Sequence, residues 1–237
     1  MPVAAAKTLT RPTLFDHGVD ELPSSMSASR PRVLLALCAA VLAVGCTTTV
    51  AGTPVASAPG FDQPSRSPVD ADDVLLDKTR MRAITGGGDD LTVIPSMDGT
   101  SPVDVVVLAD RVPPQCAWLF AETQTFGPEL EDFHKTTYQN PPEGALISQG
   151  AGAYGDVATA RGAFDGLVER VDACGSSTAG YVGEWTAGPD AIRTRTSTEC
   201  GRDYRLKSVV LVEVTFCAYP PSVPDIVMTN MLVRIPG

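Results

Sequence analysis

"CGRDYRLKSVVLVEVTFC", from Cys200 to Cys217, contains the segment on which our prediction of the fold depends. Its second half, Val209 to Phe216, is a run of β-branched and aromatic residues with the length of one strand. A cysteine stands at each end of the stretch. The pattern predicts a strand here, and this is the strongest strand signal in the chain.

Weaker strand signals precede this run. They cover residues 145–149, 183–186 and 192–198. Most of these segments follow one another with short turns, whereas parallel strands need long crossover connections. We therefore expect an antiparallel sheet, and the fold class is α+β.

Four stretches have the spacing or the N-terminal signals of helices. The clearest has Asp156 as its cap, an apolar stripe from Val157 to Val171, and Gly175 at its end. Another begins with Asp72 or Asp73 as the cap and ends at the glycines 86–88. The remaining two are "VPPQCAWLF", which begins with two prolines at 113–114, and the amphipathic segment 225–235.

An apolar run near the N-terminus has the features of an export signal. The thirteen residues from Val33 to Gly45 carry no charge and follow Arg30 and Arg32. This run is too short for a transmembrane helix, which needs about 20 apolar residues, and it suits a secretory signal peptide. The adjoining "LAVGC" resembles the bacterial lipobox, which predicts that Cys46 is acylated and becomes the mature N-terminus. The alternative is cleavage elsewhere, with Cys46 an ordinary thiol.

The segments around this signal differ in composition. Residues 1–25 contain acidic residues and three prolines, unlike a short basic signal start, so we expect translation to begin at Met26 and 1–25 to be a mis-annotated extension. Residues 26–45 are then the signal peptide. Residues 46–71, rich in Thr, Ser, Ala and Pro, are a flexible tether. The folded domain is 72–237.

The charge of the chain excludes some partners. With 18 basic and 28 acidic residues the net charge is −10, so nucleic-acid binding, which needs a basic face, is not expected. A polybasic contact with anionic lipid is not expected either. Attachment to the membrane would depend on the acyl chains at Cys46.

Four cysteines remain in the domain once Cys38 and Cys46 are set aside. They are Cys116, Cys174, Cys200 and Cys217. An even number in an exported domain predicts two disulfides, and the spacing alone leaves all three pairings open. Zinc is the competing interpretation, but no CxxC pair occurs. We expect no metal and no cofactor.

No pattern in the sequence predicts catalysis. His134 lies in "ELEDFHKTTYQN", a loop-like acidic stretch where a histidine is usually solvated, and no free cysteine can partner it. "TGGGDD" at 85–90 lacks the lysine of a phosphate loop and suits a helix end and turn. "PELEDF" lacks the ligand spacing of an EF-hand and suits a solvated charge run. We therefore expect a protein that is not an enzyme.

The stretch from Cys200 to Cys217 resembles the signature block of the mycobacterial PknH-type extracellular sensor domains. Three other segments agree with that family in order, and together they extend the resemblance over residues 73–236. These are "VPPQCAWL", "YGDVATARGAFDGLVERVDAC" and "GEW". One departure is Lys207-Ser208, where we expect asparagines in relatives.

The resemblance implies an antiparallel sheet packed by two or more long helices, with a cleft beside the sheet. It also implies the disulfides Cys116–Cys174 and Cys200–Cys217, the second closing a turn near residues 201–203. The family has no accepted binding motif. Aromatic rings offer stacking area and a polar tip, so we choose four of them as candidate cleft residues, with core packing as the alternative. They are Trp118, Phe120, Trp185 and Tyr204.

The function implied is that of a stand-alone lipoprotein with a ligand-binding or sensing domain. It would lie on the extracytoplasmic side of the cell membrane, held there by Cys46. Its partner would be an unknown small ligand or an envelope protein. The alternative is an envelope scaffold that binds other proteins and has no small-molecule ligand.

Overall fold

The computed structural model describes residues 66–177, 180–196 and 199–237. The expected N-terminal extension 1–25, the signal peptide 26–45 and the lipidation site Cys46 lie outside the described residues. Among the described helices, none has the length and hydrophobicity needed to cross a membrane.

The described residues form one seven-stranded sheet, in which every neighbouring pair of strands is antiparallel. The order across the sheet is β1-β2-β3-β7-β6-β5-β4. The expectation of an α+β fold with an antiparallel sheet is confirmed. The strands are Thr92–Gly99 (β1), Leu130–Asn140 (β2), Ala145–Tyr154 (β3), Glu184–Ala187 (β4), Ala191–Arg195 (β5), Cys200–Lys207 (β6) and Val210–Cys217 (β7).

Three of these strands are not anticipated by the sequence patterns. The acidic stretch predicted to be a solvated run and a loop is β2, and the sequence analysis gives no sign of β1. The turn expected near residues 201–203 is wrong, because those residues lie inside β6. The chain turns instead at Ser208, whose φ is 52°. Charged residues interrupt the apolar pattern of β2 and β6, and β1 contains a proline and a glycine, so none of the three has a recognisable strand pattern.

Helices lie at the positions that the sequence predicts, but several differ from the predicted helices in length. The long helix α5 begins after Asp156, whose carboxylate accepts a hydrogen bond from the Thr159 amide. Its apolar stripe is buried except for Val168, which is partly buried, and Val157, which is 58% exposed. In the described chain the α-helices are Ala71–Val74 (α1), Lys78–Thr85 (α2), Val106–Ala109 (α3), Glu122–Phe126 (α4), Val157–Gly175 (α5) and Ser222–Arg234 (α6).

The helix predicted to run from about residue 72 to residue 84 is broken in two. The break lies at Leu76, whose amide donates to Gln149 Oε1 at 2.8 Å and whose carbonyl accepts from Gln149 Nε2 at 2.6 Å. Gln149 is buried on β3, so these two bonds replace the helical ones. Asp70 and Asp77, rather than Asp72 or Asp73, cap the two short helices.

The proline-initiated helix is of a different type from the one predicted. Pro114–Phe120 is a 3₁₀ helix, and Pro113 precedes it as the cap. A 3₁₀ segment of seven residues is longer than usual. It is fixed to the rest of the fold by the disulfide at Cys116.

Helices cover both faces of the sheet. On one face, here called the α6 face, α1, α2 and α6 pack on alternate residues of β3 and β7, including Ile147, Val212 and Val214. On the other, the α5 face, α4, α5 and the 3₁₀ helix pack on residues that include Phe133, Tyr204 and Leu211. Because successive side chains of a strand point to opposite faces of the sheet, adjacent residues of one strand pack in different cores.

Two disulfides join cysteines of the described chain, and they are the pairs implied by the resemblance. Cys116 and Cys174 tie the 3₁₀ helix to the last turn of α5, with their Cα atoms 4.9 Å apart. Cys200 and Cys217 join directly opposite positions of β6 and β7. Both cores and both disulfides lie within residues 66–237, so this domain contains what it needs to fold on its own.

Candidate functional site

The four aromatic residues chosen from the sequence do not line one cleft. Trp118 and Tyr204 are 1% and 0% exposed, with ring centroids 6.4 Å apart in the α5-face core. Trp185 is half-buried against that core, and Phe120 is half-buried at the end of the 3₁₀ helix. The first two positions correspond to core packing.

A different set of residues forms a pocket beside the sheet, between β2 and the chain that follows β1. We call it the β2 pocket, and its volume is about 140 Å³. Three of its residues are alternate positions of β2, which the pleat of the strand turns toward the α5 face. It is lined by Ser96, Met97, Asp98, Gly99, Ser101, Val103, Val105, Glu122, Phe133, Lys135 and Thr137.

Four charged residues form what we call the floor of the β2 pocket. Glu122 and Lys135 line the pocket, and Glu213 and Arg202 interact with them without lining it. The Lys135 ammonium lies 2.8 Å from Glu122 Oε1 on α4 and 3.2 Å from Glu213 Oε2 on β7. Lys135 and Glu213 are two strands apart, and the residue between them on β3 is Gly150. A Cβ at Gly150 would lie 3.5 Å from Lys135 Cγ, an ordinary van der Waals distance, so the lysine side chain passes directly over this glycine as it crosses β3.

A second cation, Arg202 on β6, contributes to the charge of the floor. Together with Lys135 it lowers the pKa of Glu213. Its guanidinium also donates to the Leu119 carbonyl at 2.8 Å, which links the sheet to the 3₁₀ helix. The hydroxyl of Thr215 donates to Glu213 Oε1 at 2.5 Å. Two cations and two carboxylates, those of Glu122 and Glu213, therefore share this site.

Lys135 and Glu213 are both charged at neutral pH. Burial raises the pKa of Glu213, but Lys135 and Arg202 outweigh burial and the net shift is downward. Burial lowers the pKa of Lys135, but the two carboxylates outweigh it and the net shift is upward. Burial also raises the pKa of the neighbouring Tyr204, so its phenol stays protonated.

The rim of the pocket is apolar and exposed. Met97, Val103 and Val105 line it and are 47%, 57% and 45% exposed. The exposed apolar surface continues along α3 through Val106, Val107 and Leu108. Scattered exposed apolar residues are ordinary, but a contiguous group of this kind marks a binding surface.

Hydrogen bonds hold the rim in place over the floor. The Val103 amide donates to Glu122 Oε2 at 2.8 Å, so one glutamate fixes both the rim and the lysine of the floor. Asp104 accepts from the amide and the hydroxyl of Thr123 at 3.0 and 2.6 Å. The Val105 amide donates to the Phe120 carbonyl at 2.7 Å. The exposed apolar segment is therefore anchored at its base.

His134 lies on β2 and faces away from the pocket, toward the α6 side. Its Nδ1 is 2.5 Å from Asp72 Oδ1, and its Nε2 is 3.3 Å from Asp98 Oδ1. Thr136 donates its hydroxyl to the same Asp98 oxygen at 2.7 Å. The histidine was expected to be solvated; it is instead 24% exposed and ties α1 and the end of β1 to β2.

Within the part of the chain that the structure describes, no three His, Cys, Asp or Glu side chains are grouped so as to hold a metal ion. The sequence analysis missed the floor residues Glu122, Lys135 and Glu213. One signal was present: an acid in the middle of the valine-rich run 209–216 needs a partner if that run is buried.

Comparisons with known proteins agree on the family. The profile of the PknH-like extracellular domain matches residues 67–231. The fold is similar to the crystal structure of the extracellular domain of PknH from Mycobacterium tuberculosis, with a TM-score of 0.53 and 13% identity. That similarity covers 69% of this chain and 93% of the other. No curated protein sequence matches the chain. The chain therefore belongs to the family of PknH-like extracellular domains.

Proposed function

We propose that this chain is a non-catalytic, ligand-binding lipoprotein of the cell envelope, and that its ligand binds in the β2 pocket. The family consists of extracellular domains, which supports a location outside the cytoplasm. The observation that carries the proposal is the pocket itself, where an exposed apolar rim surrounds a floor of paired charges. Concave sites with apolar walls and a few placed polar groups are typical of small-molecule binding.

The anchor is proposed from the sequence alone. Cys46 follows the thirteen-residue apolar run and would carry the acyl chains, with residues 47–65 as the tether before the described domain. The two disulfides suit the oxidising side of the membrane, since such bonds seldom persist in the cytosol.

Ligand binding can be tested with the domain of residues 66–237 in a thermal-shift screen against lipids, glycans and small metabolites. A ligand that prefers the folded state must raise the melting temperature. The shift should be lost in Val105→Asp, at the rim, and kept in Val233→Asp, which changes an equally apolar and 78% exposed residue of α6. A ligand whose shift survives Val105→Asp binds elsewhere and contradicts the proposed site.

The anchor can be tested by intact-mass analysis of the protein extracted from its native membrane. A mature chain that begins at acylated Cys46 is the expected result, and Cys46→Ser should abolish the acyl mass. The same spectrum reports whether residues 1–25 and 26–45 are present. An unmodified Cys46 in the membrane-extracted protein would contradict the anchor.

One observation favours a second function, that of a scaffold for another envelope protein. Val106, Val107 and Leu108 are exposed on α3 beyond the pocket rim, and such surfaces also serve protein interfaces. Photo-crosslinking from position 107 in cells distinguishes the two. A single protein partner, with no hit in the ligand screen, would favour the scaffold.

A further inference from the structure

We propose that the β2 pocket binds an uncharged amphiphile, with a hydroxyl-bearing head on the floor and an aliphatic chain leaving across the rim toward α3. This inference rests on the proposed function and names the class of its ligand. It depends on two properties of the pocket, the charge balance of the floor and the continuity of the rim with α3.

The charge balance of the floor excludes ionic heads. Lys135 and Arg202 match Glu122 and Glu213, so the four groups sum to zero. A carboxylate or phosphate head would compete with Glu122 for the lysine and leave a carboxylate without its partner. An ammonium head would compete with Lys135 in the same way. A charge left unpaired in a shielded site is costly, so either head is disfavoured.

The charge of the whole chain makes the exclusion of anions stronger. Its net charge is negative, at −10. An approaching anion is therefore repelled before it reaches the lysine.

A hydroxyl group matches the hydrogen-bonding capacity of Lys135 and Glu122 in the floor. The Lys135 ammonium has three N–H donors, and three carboxylate oxygens lie near it: Glu122 Oε1 at 2.8 Å, Glu213 Oε2 at 3.2 Å and Glu213 Oε1 at 3.4 Å. Glu122 accepts one hydrogen bond at each oxygen, from Lys135 and from the Val103 amide, and each oxygen retains a lone pair. A hydroxyl can accept from the lysine in place of its longest contact, the one to Glu213 Oε1, and can donate to Glu122. Glu213 Oε1 keeps its hydrogen bond from Thr215, so no buried group is left unpaired.

The rim provides the place for the chain of the amphiphile. A volume of about 140 Å³ is close to that of the engineered apolar cavity, about 150 Å³, that binds benzene, so the pocket holds only the head and the first carbons. The rest of the chain would lie against Val103 and Val105 and then against Val106 and Val107, which are 59% and 64% exposed. Burying these side chains on binding is the source of affinity.

The test uses four probes that separate head from chain, titrated calorimetrically into the domain of residues 66–237 at pH 7 and below their micelle concentrations. Monooctanoylglycerol has an uncharged hydroxyl head. Octanoate and octylammonium have the same chain length with an anionic or a cationic head, and glycerol has no chain. The expected result is binding of monooctanoylglycerol at least about tenfold more tightly than either ion, with no detectable heat from glycerol.

Two variants and one matched control locate the site. Val105→Ser should raise the Kd for monooctanoylglycerol about tenfold, because it removes apolar area from the rim. Val233→Ser makes the same change on α6, on the other face of the sheet, and should leave the Kd unchanged. Glu122→Gln leaves a net positive floor, so octanoate should gain affinity relative to monooctanoylglycerol. A purely structural effect of Glu122→Gln would weaken both probes alike.

Several outcomes would overturn the inference. Octanoate binding as tightly as monooctanoylglycerol would contradict the argument from charge, and an unchanged Kd in Val105→Ser would contradict the site. Flotation with phosphatidylcholine vesicles but no binding of the monomeric probe would assign the rim to a membrane surface. If the amphiphiles fail while a hydrophilic ligand binds and is lost in Val105→Asp, the proposed function stands and only this inference fails. If nothing binds, both fail.

Discussion

The ammonium nitrogen of Lys135 lies 3.2 Å from a carboxylate oxygen of Glu213, two strands away in the sheet. With Glu122 and Arg202 this contact makes the α5 face of the sheet part core and part polar network. A buried ion pair adds little stability compared with an apolar replacement of both partners, but losing one partner is costly. The predictions below begin from that asymmetry.

Lys135→Met should lower the free energy of unfolding by about 3 kcal/mol or more, since Glu213 is 2% exposed and loses a partner. Urea denaturation of the domain measures it. Lys78→Met, at an exposed position of α2, is the control and should change stability by less than about 0.5 kcal/mol. Equal effects of the two substitutions would show that the network does not stabilise the fold.

The stability of the domain should depend on Glu213 at acid pH. Because Lys135 and Arg202 lower its pKa below the ordinary value of 4.5, the unfolded chain takes up this proton first as the pH falls. The contribution of Glu213 is therefore complete above about pH 4.5 and is lost as the pH falls through the lower pKa of the folded state. In Glu213→Gln the dependence of the unfolding free energy on pH should be flatter in that range. Parallel curves for the two proteins would refute the shift.

The two disulfides should contribute unequally. They close loops of 58 and 17 residues, which correspond to about 4 and about 3 kcal/mol on the loop-entropy model. The double replacement of Cys116 and Cys174 by Ser should therefore destabilise the domain more than that of Cys200 and Cys217. Burial strengthens the difference, since Cys116 and Cys174 are 0% and 1% exposed. Denaturation midpoints of the two double variants give the order, and the reverse order would contradict it.

Two glycines of α5 should respond in opposite directions to alanine. A Cβ at Gly175 would overlap the indole of Trp185, so Gly175→Ala should destabilise the domain and change the tryptophan emission. A Cβ at Gly162 meets no neighbouring atom within 4 Å, so Gly162→Ala should stabilise the domain by about 0.5–1 kcal/mol through helix propensity. Thermal unfolding followed by fluorescence checks both. Stabilisation by Gly175→Ala would mean that Trp185 does not rest on the end of α5.

The parts of the fold that sequence reasoning predicted are those whose signal is local. Helix α5 has its cap at Asp156 and its own apolar stripe, and β7 is a continuous β-branched run. These features need only neighbours in sequence to be recognised. The same reasoning did not predict β2. It also did not predict the helix break at Leu76, because the hydrogen-bond partner of Leu76 is Gln149, which is 73 residues away.

The candidate site could not be predicted for the same reason. Its floor combines Glu122 from α4, Lys135 from β2 and Glu213 from β7, and only the strand order brings the last two to the same face with Gly150 between them. The aromatics chosen from the sequence were selected by residue type, and type does not tell whether a ring faces a cleft or the core. Trp118 and Tyr204 face the core.

Lys207 is one residue whose role could be seen only in the structure and not in the sequence. The sequence showed a departure from the amides expected in relatives and could assign it no role. In the structure its ammonium donates to the carbonyls of Leu232 and Ile235 at 2.9 and 2.7 Å, at the C-terminal end of α6. A cation there satisfies carbonyls that have no helical partner.

The α+β class, the helix α5, the strand β7 and the family follow from the sequence, because they depend on residue spacing and on a short block between two cysteines. The position of the pocket and the set of charges that meet beneath it are visible only in the folded chain. Those contacts join residues up to 78 positions apart, and no local pattern encodes which distant strand becomes a neighbour.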